Sequence, residues 1–283
     1  MPWPAPDQSE RWVDFSWYQN DASVLHRPFD VDAFCAAHPY VVGAVIRAIW
    51  PDGTPDKHYP HYYDGFERNG KKVAAYLWPN PRKAIAIMVD DWKRSLGDRV
   101  PKLLGYDYEE ASTFEGKTNQ EITSLLRASW AAGHQHFPAQ AHLNYSRGSW
   151  LASRIIAGDW IHEMKWWMAH YIYPDQILPL LPTHWTEIDA MLPISNLFTP
   201  GRGPVRVENV VAWQFSSGGK IVPKGTSDMD YFLKTYTAPI YGQPVPPPPP
   251  PPADDLPLFL RQRAGQLDGV ADALREKADE VEG

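Results

Sequence analysis

Two carboxylates separated by one residue, Asp107 and Glu109, are the sharpest chemical signal in the sequence. They close the apolar segment LLGYDYE (103–109), whose composition is typical of a β-strand. Alternate side chains of a strand share a face, so both carboxylates would point the same way. Repulsion between close carboxylates raises the pKa of one, which can then donate a proton while its neighbour stays ionised. Glycosidic cleavage needs this division of roles, although a pair of surface acids at a strand end would give the same pattern.

Other acidic residues lie near the ends of other apolar segments, and aromatic residues accumulate beside them. Asp14 lies in WVDFSW, and Asp228 and Asp230 are expected after the last strand and its turn. The aromatic residues near strand ends are Trp17, Tyr18, Trp50, Tyr76, Trp78, Tyr145, Trp150, Trp166, Trp167, Tyr171 and Trp213. Core packing explains any one of these rings. Because sugar rings stack on aromatic faces, the whole set beside carboxylates favours a carbohydrate-binding cleft.

Two histidine pairs raise the alternative of a metal site. His58 and His61 lie in DKHYPHYY, which we predict as a loop, and His134 and His136 lie in GHQHFP, which we predict as a turn. Neither pair has the H-E-x-x-H spacing of a zinc-binding helix, so solvated or substrate-facing histidines are favoured over zinc ligands. No phosphate-binding loop or nucleophile elbow is found. The sequence therefore predicts no metal and no cofactor.

The elements that must position these residues alternate between strand-like and helix-like segments. The predicted strands are 12–17, 40–50, 72–78, 103–109, 141–145, 165–171 and 210–217, and the predicted helices are 29–37, 80–95, 118–133 and 149–157. Thr118 and Glu121 are spaced as a capping box for the third helix. This alternation predicts an α/β fold in which a parallel sheet closes into a TIM-like β/α barrel. Because the helix signal fades after residue 165, the barrel should be irregular, with fewer helices than strands.

A proline tract divides the sequence into a large body and a short tail. Residues 1–243 form the predicted catalytic domain, and 244–252 (PVPPPPPPP) form a polyproline linker that is a spacer or, alternatively, a docking site. The tail, 253–283, repeats Leu260, Leu267, Leu274 and Val281 every seven residues, which predicts an amphipathic helix. This helix is either simply solvated or a short coiled-coil or docking helix, through which the chain would self-associate or bind a partner.

Composition excludes several classes of protein. The net charge of −7 over 283 residues argues against binding to nucleic acid. No apolar run reaches the ~18 residues that a membrane span needs, and MPWPAPDQSERW lacks the regions of a secretory signal peptide. The single Cys35 cannot form an internal disulfide. We therefore expect a protein made in a reducing cytoplasm without insertion into a membrane.

The order of several short motifs resembles the glycoside hydrolase family 25 lysozymes, which are N-acetylmuramidases and include phage endolysins. The matching segments are Asp14–Gln19 (DFSWYQ), Val45–Ala48 (VIRA), Ala75-Tyr76, Asp107–Glu109, Asn144–Ser146 followed by Trp150, Trp167–Tyr171 (WMAHY), Trp213–Gly218 (WQFSSG) and Ser227–Phe232 (SDMDYF). The resemblance covers about residues 12–233. Departures include Asp230, where the family often has Asn, and the Leu77-Trp78-Pro79 segment that follows the third strand.

The resemblance implies hydrolysis of the β-1,4 bond between N-acetylmuramic acid and N-acetylglucosamine in peptidoglycan. By position, Glu109 matches the general acid, Asp107 its partner carboxylate, and Asp14 and Asp228 the further acids of the cleft. The substrate-binding residues expected from the same matches are Arg47, Tyr76, Trp78, Tyr145, His170, Tyr171, Trp213 and Gln214.

Two other functions fit parts of the sequence. One is a non-catalytic glycan-binding module on the same scaffold, which the presence of all four acids disfavours. The other, suggested by the histidine pairs, is a metal-dependent wall amidase or peptidase. In each case the site of action would be the bacterial cell wall, reached by release from a phage-infected cell or as part of a virion.

Overall fold

The computed structural model describes residues 8–16, 28–109, 114–171, 203–219 and 227–242. Within these residues, eight strands form one closed barrel in chain order. They are β1 (Ser9–Phe15), β2 (Gly43–Arg47), β3 (Lys72–Leu77), β4 (Leu103–Asp107), β5 (Ala141–Arg147), β6 (Trp166–Ala169), β7 (Val210–Gly219) and β8 (Ser227–Leu233). Strands β1 to β7 pair in parallel, whereas β8 is antiparallel to both β7 and β1. The predicted irregular α/β barrel is confirmed.

The described residues contain six α-helices, fewer than the strands. They are α1 (Val31–Ala37), α2 (Tyr59–Arg68), α3 (Ile85–Leu96), α4 (Asn119–His136), α5 (Gly148–Arg154) and α6 (Lys234–Tyr241). The capping box predicted for α4 is present, with the Glu121 backbone N–H bound to Thr118 and the Glu121 carboxylate bound to the Thr118 N–H. None of the described helices has the length and hydropathy to cross a membrane.

The structure corrects two local predictions around the histidine pairs. DKHYPHYY is not a loop, because α2 begins at Tyr59 and Pro60 occupies its first turn, where a proline needs no hydrogen-bonded N–H. GHQHFP is not a turn, because α4 continues to His136 before it ends. These segments therefore contribute helices that pack outside the barrel.

Alternating side chains of the strands build two different environments. Outward side chains pack against helices: Phe15 contacts Phe34 of α1 and both Tyr62 and Phe66 of α2. Inward side chains fill the barrel, where Trp12 stacks on Phe232 with ring centroids 4.5 Å apart. The closed end of the barrel is covered by α6, whose Tyr236, Ile240 and Tyr241 pack against this interior cluster.

The proline tract and the tail, residues 244–252 and 253–283, lie outside the described residues, as do Trp17, Tyr18 and Glu110. The linker and the helix predicted there remain predictions.

Candidate active site

The paired carboxylates of β4 face the inside of the barrel at the carboxyl ends of the parallel strands. In β4 the odd-numbered residues point inward, so Asp107 and Glu109 follow one another into a cleft at this mouth. Tyr106 and Tyr108 point outward instead and hydrogen-bond to His142 and to Ser129 of α4. The D-x-E spacing thus places both acids on one face, as predicted.

The direction of β8 brings a further acid to the same mouth. Asp228 and Asp230 do not follow the last strand, as the sequence predicted, but lie within β8. Because β8 is antiparallel to β1, its first residues lie beside the last residues of β1, and Asp228 pairs in register with Asp14. Asp230 lies one layer deeper, opposite Trp12, and is fully buried.

The cleft has a volume of about 240 Å³. Its lining residues are Asp14, Ser16, Arg47, Trp50, Pro51, Tyr76, Trp78, Asp107, Glu109, Tyr145, Trp167, Tyr171, Gln214 and Asp228. The four acids predicted as catalytic are therefore together in one cavity, surrounded by six aromatic side chains. Rings at the sides and carboxyl groups at the base suit a polar ligand that has apolar C–H faces.

Gln214 connects the two sides of the cleft by hydrogen bonds. Its side-chain oxygen accepts from the hydroxyls of Tyr145 and Tyr171, both at 2.7 Å. Its Nε2 donates to Asp14 Oδ2 over 3.4 Å. Since the N–H end of the amide faces the carboxyl group of Asp14, the oxygen end faces the two tyrosine hydroxyls. Gln214 therefore holds both tyrosine hydroxyls and faces Asp14 with its N–H.

Glu109 lies nearer the solvent than the other acid of its pair. Its Oε2 accepts from Arg147 Nε at 2.9 Å and lies 3.4 Å from the Tyr145 hydroxyl. The single proton of Tyr145 has a closer acceptor in Gln214, at 2.7 Å, so the contact with Glu109 is the weaker one. The Glu109 side chain is 21% exposed, which leaves it accessible to a ligand in the cleft.

Burial and like charge shift the protonation of the deeper carboxyl groups. Burial raises the pKa of Asp14 well above its ordinary value, and Asp228, Asp230 and Asp107 raise it further while Arg47 opposes them. Burial and the neighbouring Glu109 raise the pKa of Asp228 to about 7, against an opposing effect of Arg147. The cavity therefore holds one carboxyl group, that of Asp228, which exchanges its proton near neutral pH, beside Asp14, whose pKa is also raised.

Asp230 belongs to the same carboxyl cluster but lies below the cleft. Its Oδ1 accepts from Trp167 Nε1 at 2.9 Å. Burial and the charge of Asp228 raise its pKa well above the ordinary value, and the hydrogen bond from Trp167 opposes that shift. Asp230 thus fixes the ring of Trp167, which forms part of the cleft wall.

Arg47 occupies the wall on the β2 side of the cleft. Its Nε donates to Asp56 Oδ2 at 3.1 Å, and both side chains are at least nine-tenths buried. Its guanidinium carbon lies 3.5 Å from the centroid of the Trp50 ring, which is a cation–π contact. The pairing with Asp56 and the stacking on Trp50 hold the loop after β2 against the cleft.

Six of the eight predicted substrate-binding residues line the cleft: Arg47, Tyr76, Trp78, Tyr145, Tyr171 and Gln214. Trp213 and His170 do not. Trp213 points outward from β7, because its neighbour Gln214 takes the inward position, and its ring is buried against Phe215 and Tyr231. His170 likewise follows the inward Ala169, and its carbonyl accepts from Trp213 Nε1 at 2.9 Å.

Three residues at the cleft escaped the sequence analysis as site residues: Ser16, Pro51 and Arg147. Two of them could have been identified because residues two apart in a strand share a face. Ser16 is two residues after Asp14, and Arg147 is two residues after Tyr145. Of the predicted aromatic set, Trp150 and Trp166 are buried away from the cleft, and the Trp166 indole donates to the carbonyl of Ile161.

The histidine pairs are not assembled with other ligands. His58 precedes α2, and its side chain makes no capping hydrogen bond to that helix. His61 Nε2 lies 3.0 Å from the Phe29 carbonyl oxygen. His134 packs on His142, whose pKa burial lowers to about 4. No group of three or more His, Cys, Asp or Glu side chains in the described ranges has the arrangement of a metal site.

Comparison with solved structures identifies proteins of the same fold. A family 25 glycosyl hydrolase from Bacillus anthracis superimposes with a TM-score of 0.55 at 14% identity, over 82% of this chain and 92% of that one. A family 25 lysozyme from Aspergillus fumigatus gives 0.55 at 15%, over 84% and 100%. The modular Cpl-1 endolysin, solved with a peptidoglycan analogue, gives 0.51 at 13%, over 80% and 54%.

At these identities the similarity establishes the fold. No protein-family model matches the sequence. A search of curated proteins likewise gives no match.

Proposed function

We propose that this chain is a peptidoglycan hydrolase, a muramidase that cleaves the β-1,4 bond between N-acetylmuramic acid and N-acetylglucosamine. The observation that carries the proposal is the cleft, in which Asp14, Asp107, Glu109 and Asp228 lie among aromatic rings at one mouth of the barrel. The names of the structures that share the fold, which are lysozymes, a family 25 hydrolase and an endolysin, support the same reading.

In this proposal Glu109 is the general acid. It is the more outward member of the β4 pair and remains 21% exposed, so it can reach an oxygen between two sugar rings. Its proton passes to the glycosidic oxygen as the C1–O bond breaks, and the glucosamine end leaves with a new hydroxyl. A water molecule then adds its oxygen to C1 and returns a proton to Glu109.

The deeper acids stabilise the positive charge that develops on the sugar. Asp107 lies on the same strand face as Glu109, and Asp14 and Asp228 complete the ring of carboxyl groups. Asp228 interacts electrostatically with Glu109, and this like charge contributes to the raised pKa of Asp228. We propose that these acids orient either the 2-acetamido group of the substrate or the attacking water.

The cleft walls would bind the glycan by stacking and hydrogen bonding. Tyr76, Trp78 and Tyr171 offer ring faces, and Gln214 offers its amide beside Asp14. The expected site of action is the bacterial cell wall, as for a phage lysin. The amphipathic helix predicted for the tail, 253–283, which follows the predicted linker 244–252, is proposed to self-associate or to dock the enzyme.

The proposal is tested by replacing the acid. Glu109→Gln keeps the size and hydrogen-bonding capacity of the side chain but cannot supply a proton, so release of reducing ends from purified peptidoglycan should fall by about 10²–10⁴-fold. The matched control is Glu163→Gln, which should retain full activity. Glu163 is an exposed residue that precedes β6 and does not line the cleft. Full activity of Glu109→Gln would remove the acid assignment, and an inactive wild-type chain that still bound glycan would favour the binding-module alternative.

A further inference from the structure

Arg147 has a rigid backbone at the edge of the cleft. It is the last residue of β5, it pairs in register with Ala169 of β6, and it lies on the inward side with Tyr145. The preceding residue, Ser146, is fully buried and donates its hydroxyl to the Tyr108 carbonyl at 2.7 Å. The backbone position of Arg147 is therefore set by the barrel itself.

The guanidinium group of Arg147 uses one of its five N–H donors within the described part of the chain. Its Nε donates to Glu109 Oε2 at 2.9 Å. The two terminal nitrogens, Nη1 and Nη2, make no hydrogen bond to any residue that the structure describes, and the side chain is 53% exposed. Four N–H groups in a planar fork are thus left for a ligand beside Glu109, which lines the cleft.

The other guanidinium of the cleft is different. Arg47 is only 5% exposed, its Nε is paired with Asp56, and its planar face lies on the Trp50 ring. Arg47 therefore stabilises the wall of the cleft through these two contacts. Of these two arginines, Arg147 is the one whose terminal nitrogens face solvent.

An anionic group on the ligand has few places to bind in this cleft. Four carboxyl groups line it, and the chain as a whole carries a net charge of −7, so an anion is repelled except beside a guanidinium. Of the two sugars of peptidoglycan, N-acetylglucosamine is neutral. Muramic acid carries a lactyl ether on C3, two carbons from the C1 at which the proposed cleavage occurs.

We infer that Arg147 binds a carboxylate carried on the lactyl arm of the muramic acid whose bond is cleaved. The inference deepens the proposed function and rests on it. The carboxylate is either that of the lactyl group itself, in peptide-free strands, or one from the stem peptide attached to it. Arg147 thereby makes the enzyme select muramic acid, rather than a neutral hexosamine, for the ring next to Glu109.

The test compares Arg147→Gln with the wild type on three glycans: peptide-free strands with free lactyl carboxylates, the same strands with those carboxylates converted to methylamides, and peptide-bearing strands. The measured quantity is kcat/KM for release of reducing ends. The kcat/KM of Arg147→Gln should fall by about tenfold more on a carboxylate-bearing glycan than on the amidated one, because only the carboxylate-bearing glycan loses a charge-assisted hydrogen bond. The glycan on which this excess loss occurs identifies the source of the anion. An excess loss on peptide-free strands indicates the lactyl carboxylate, and one on peptide-bearing strands indicates a carboxylate of the stem peptide.

A merely structural role gives a different pattern. If Arg147 acted only through Glu109, the substitution would cost the same factor on all three glycans, and the inference would be overturned. Arg147→Lys, which keeps the charge but loses the fork, should recover part of the excess loss. Arg94→Gln, a 62% exposed arginine on α3, is the matched control and should not discriminate among the glycans. Wild-type protein that cleaves none of them would instead reject the proposed function.

Discussion

The two ends of the barrel bury carboxyl groups in opposite ways. At the closed end, Glu10 is 2% exposed and is surrounded by donors. It accepts from Lys72 Nζ at 2.7 Å, Thr237 Oγ1 at 2.9 Å and Trp12 Nε1 at 3.2 Å. At the open end, Asp14 is buried and Asp228 partly buried beside it, with Asp230 buried one layer below, and like charge adds to the cost of burial.

The difference separates what holds the barrel together from what it can do. A buried carboxylate with a cation and two further donors has its charge compensated, so it ties β1, β3 and α6 together. Carboxyl groups that lie beside like charges instead have raised pKa values, and such groups cluster at functional sites. The same fold thus places a charge-compensated carboxylate at one mouth and a set of carboxyl groups with raised pKa values at the other.

The largest effect on stability is expected at the closed end. Glu10→Gln removes the charge that compensates Lys72, whose side chain is only 11% exposed, and should lower the free energy of unfolding by about 3 kcal/mol. Chemical denaturation measures this change. Activity assayed well below the melting temperature should be unaltered. The double variant Glu10→Gln/Lys72→Met should recover much of the loss, and no recovery would show that the ion pair is not its origin.

The opposite sign is expected at the open end. The pKa of Asp228 is about 7 in the folded protein, against an ordinary value of 3.8, so its protonated form is favoured by folding. This contribution is fully present below about pH 4 and is lost as the pH rises to about 7. Asp228→Asn should therefore gain stability over the wild type across this range, reaching about 1–2 kcal/mol at pH 8 once solvent screening is allowed for, while activity falls. Melting curves of both proteins from pH 4 to 8 measure the difference. A gain that shrinks with rising pH would contradict the described electrostatics.

The smallest effect is expected at Asp230, between the two ends. Asp230→Asn retains an oxygen that can accept from Trp167 Nε1, so kcat/KM at pH 6 should change by less than about threefold. Asp230→Leu removes that acceptor, leaves the indole N–H without its partner and should cost about 1–3 kcal/mol of stability. Steady-state kinetics together with thermal melts check both. A large loss in the asparagine variant would mean that the charge itself is required.

The sequence predicted the placement of Asp107 and Glu109 better than the way in which the barrel closes. Period-two alternation is local, so it correctly put Asp107 and Glu109 on one face. The direction of a strand is not local. Nothing within SDMDYF reveals that β8 runs antiparallel, yet that direction is what brings Asp228 to Asp14.

At some positions the residue type or the motif match suggested a wrong role, whereas the alternation of inward and outward side chains along the strand would have suggested the right one. Trp213 is expected at the substrate from its place in the WQFSSG match, but its adjacent residue Gln214 holds the inward position. Arg147 was overlooked because an isolated arginine has no motif, and only the fold shows that it lies 2.9 Å from Glu109. The closed-end ion pair of Glu10 and Lys72 joins residues 62 apart in sequence and likewise leaves no local pattern.

The most direct test of the account is mass spectrometry of the fragments released from purified peptidoglycan by the wild-type chain. We expect new reducing ends on N-acetylmuramic acid, and about 10²–10⁴-fold less of these fragments with Glu109→Gln. New reducing ends on N-acetylglucosamine, or cut peptides with intact glycan strands, would contradict it.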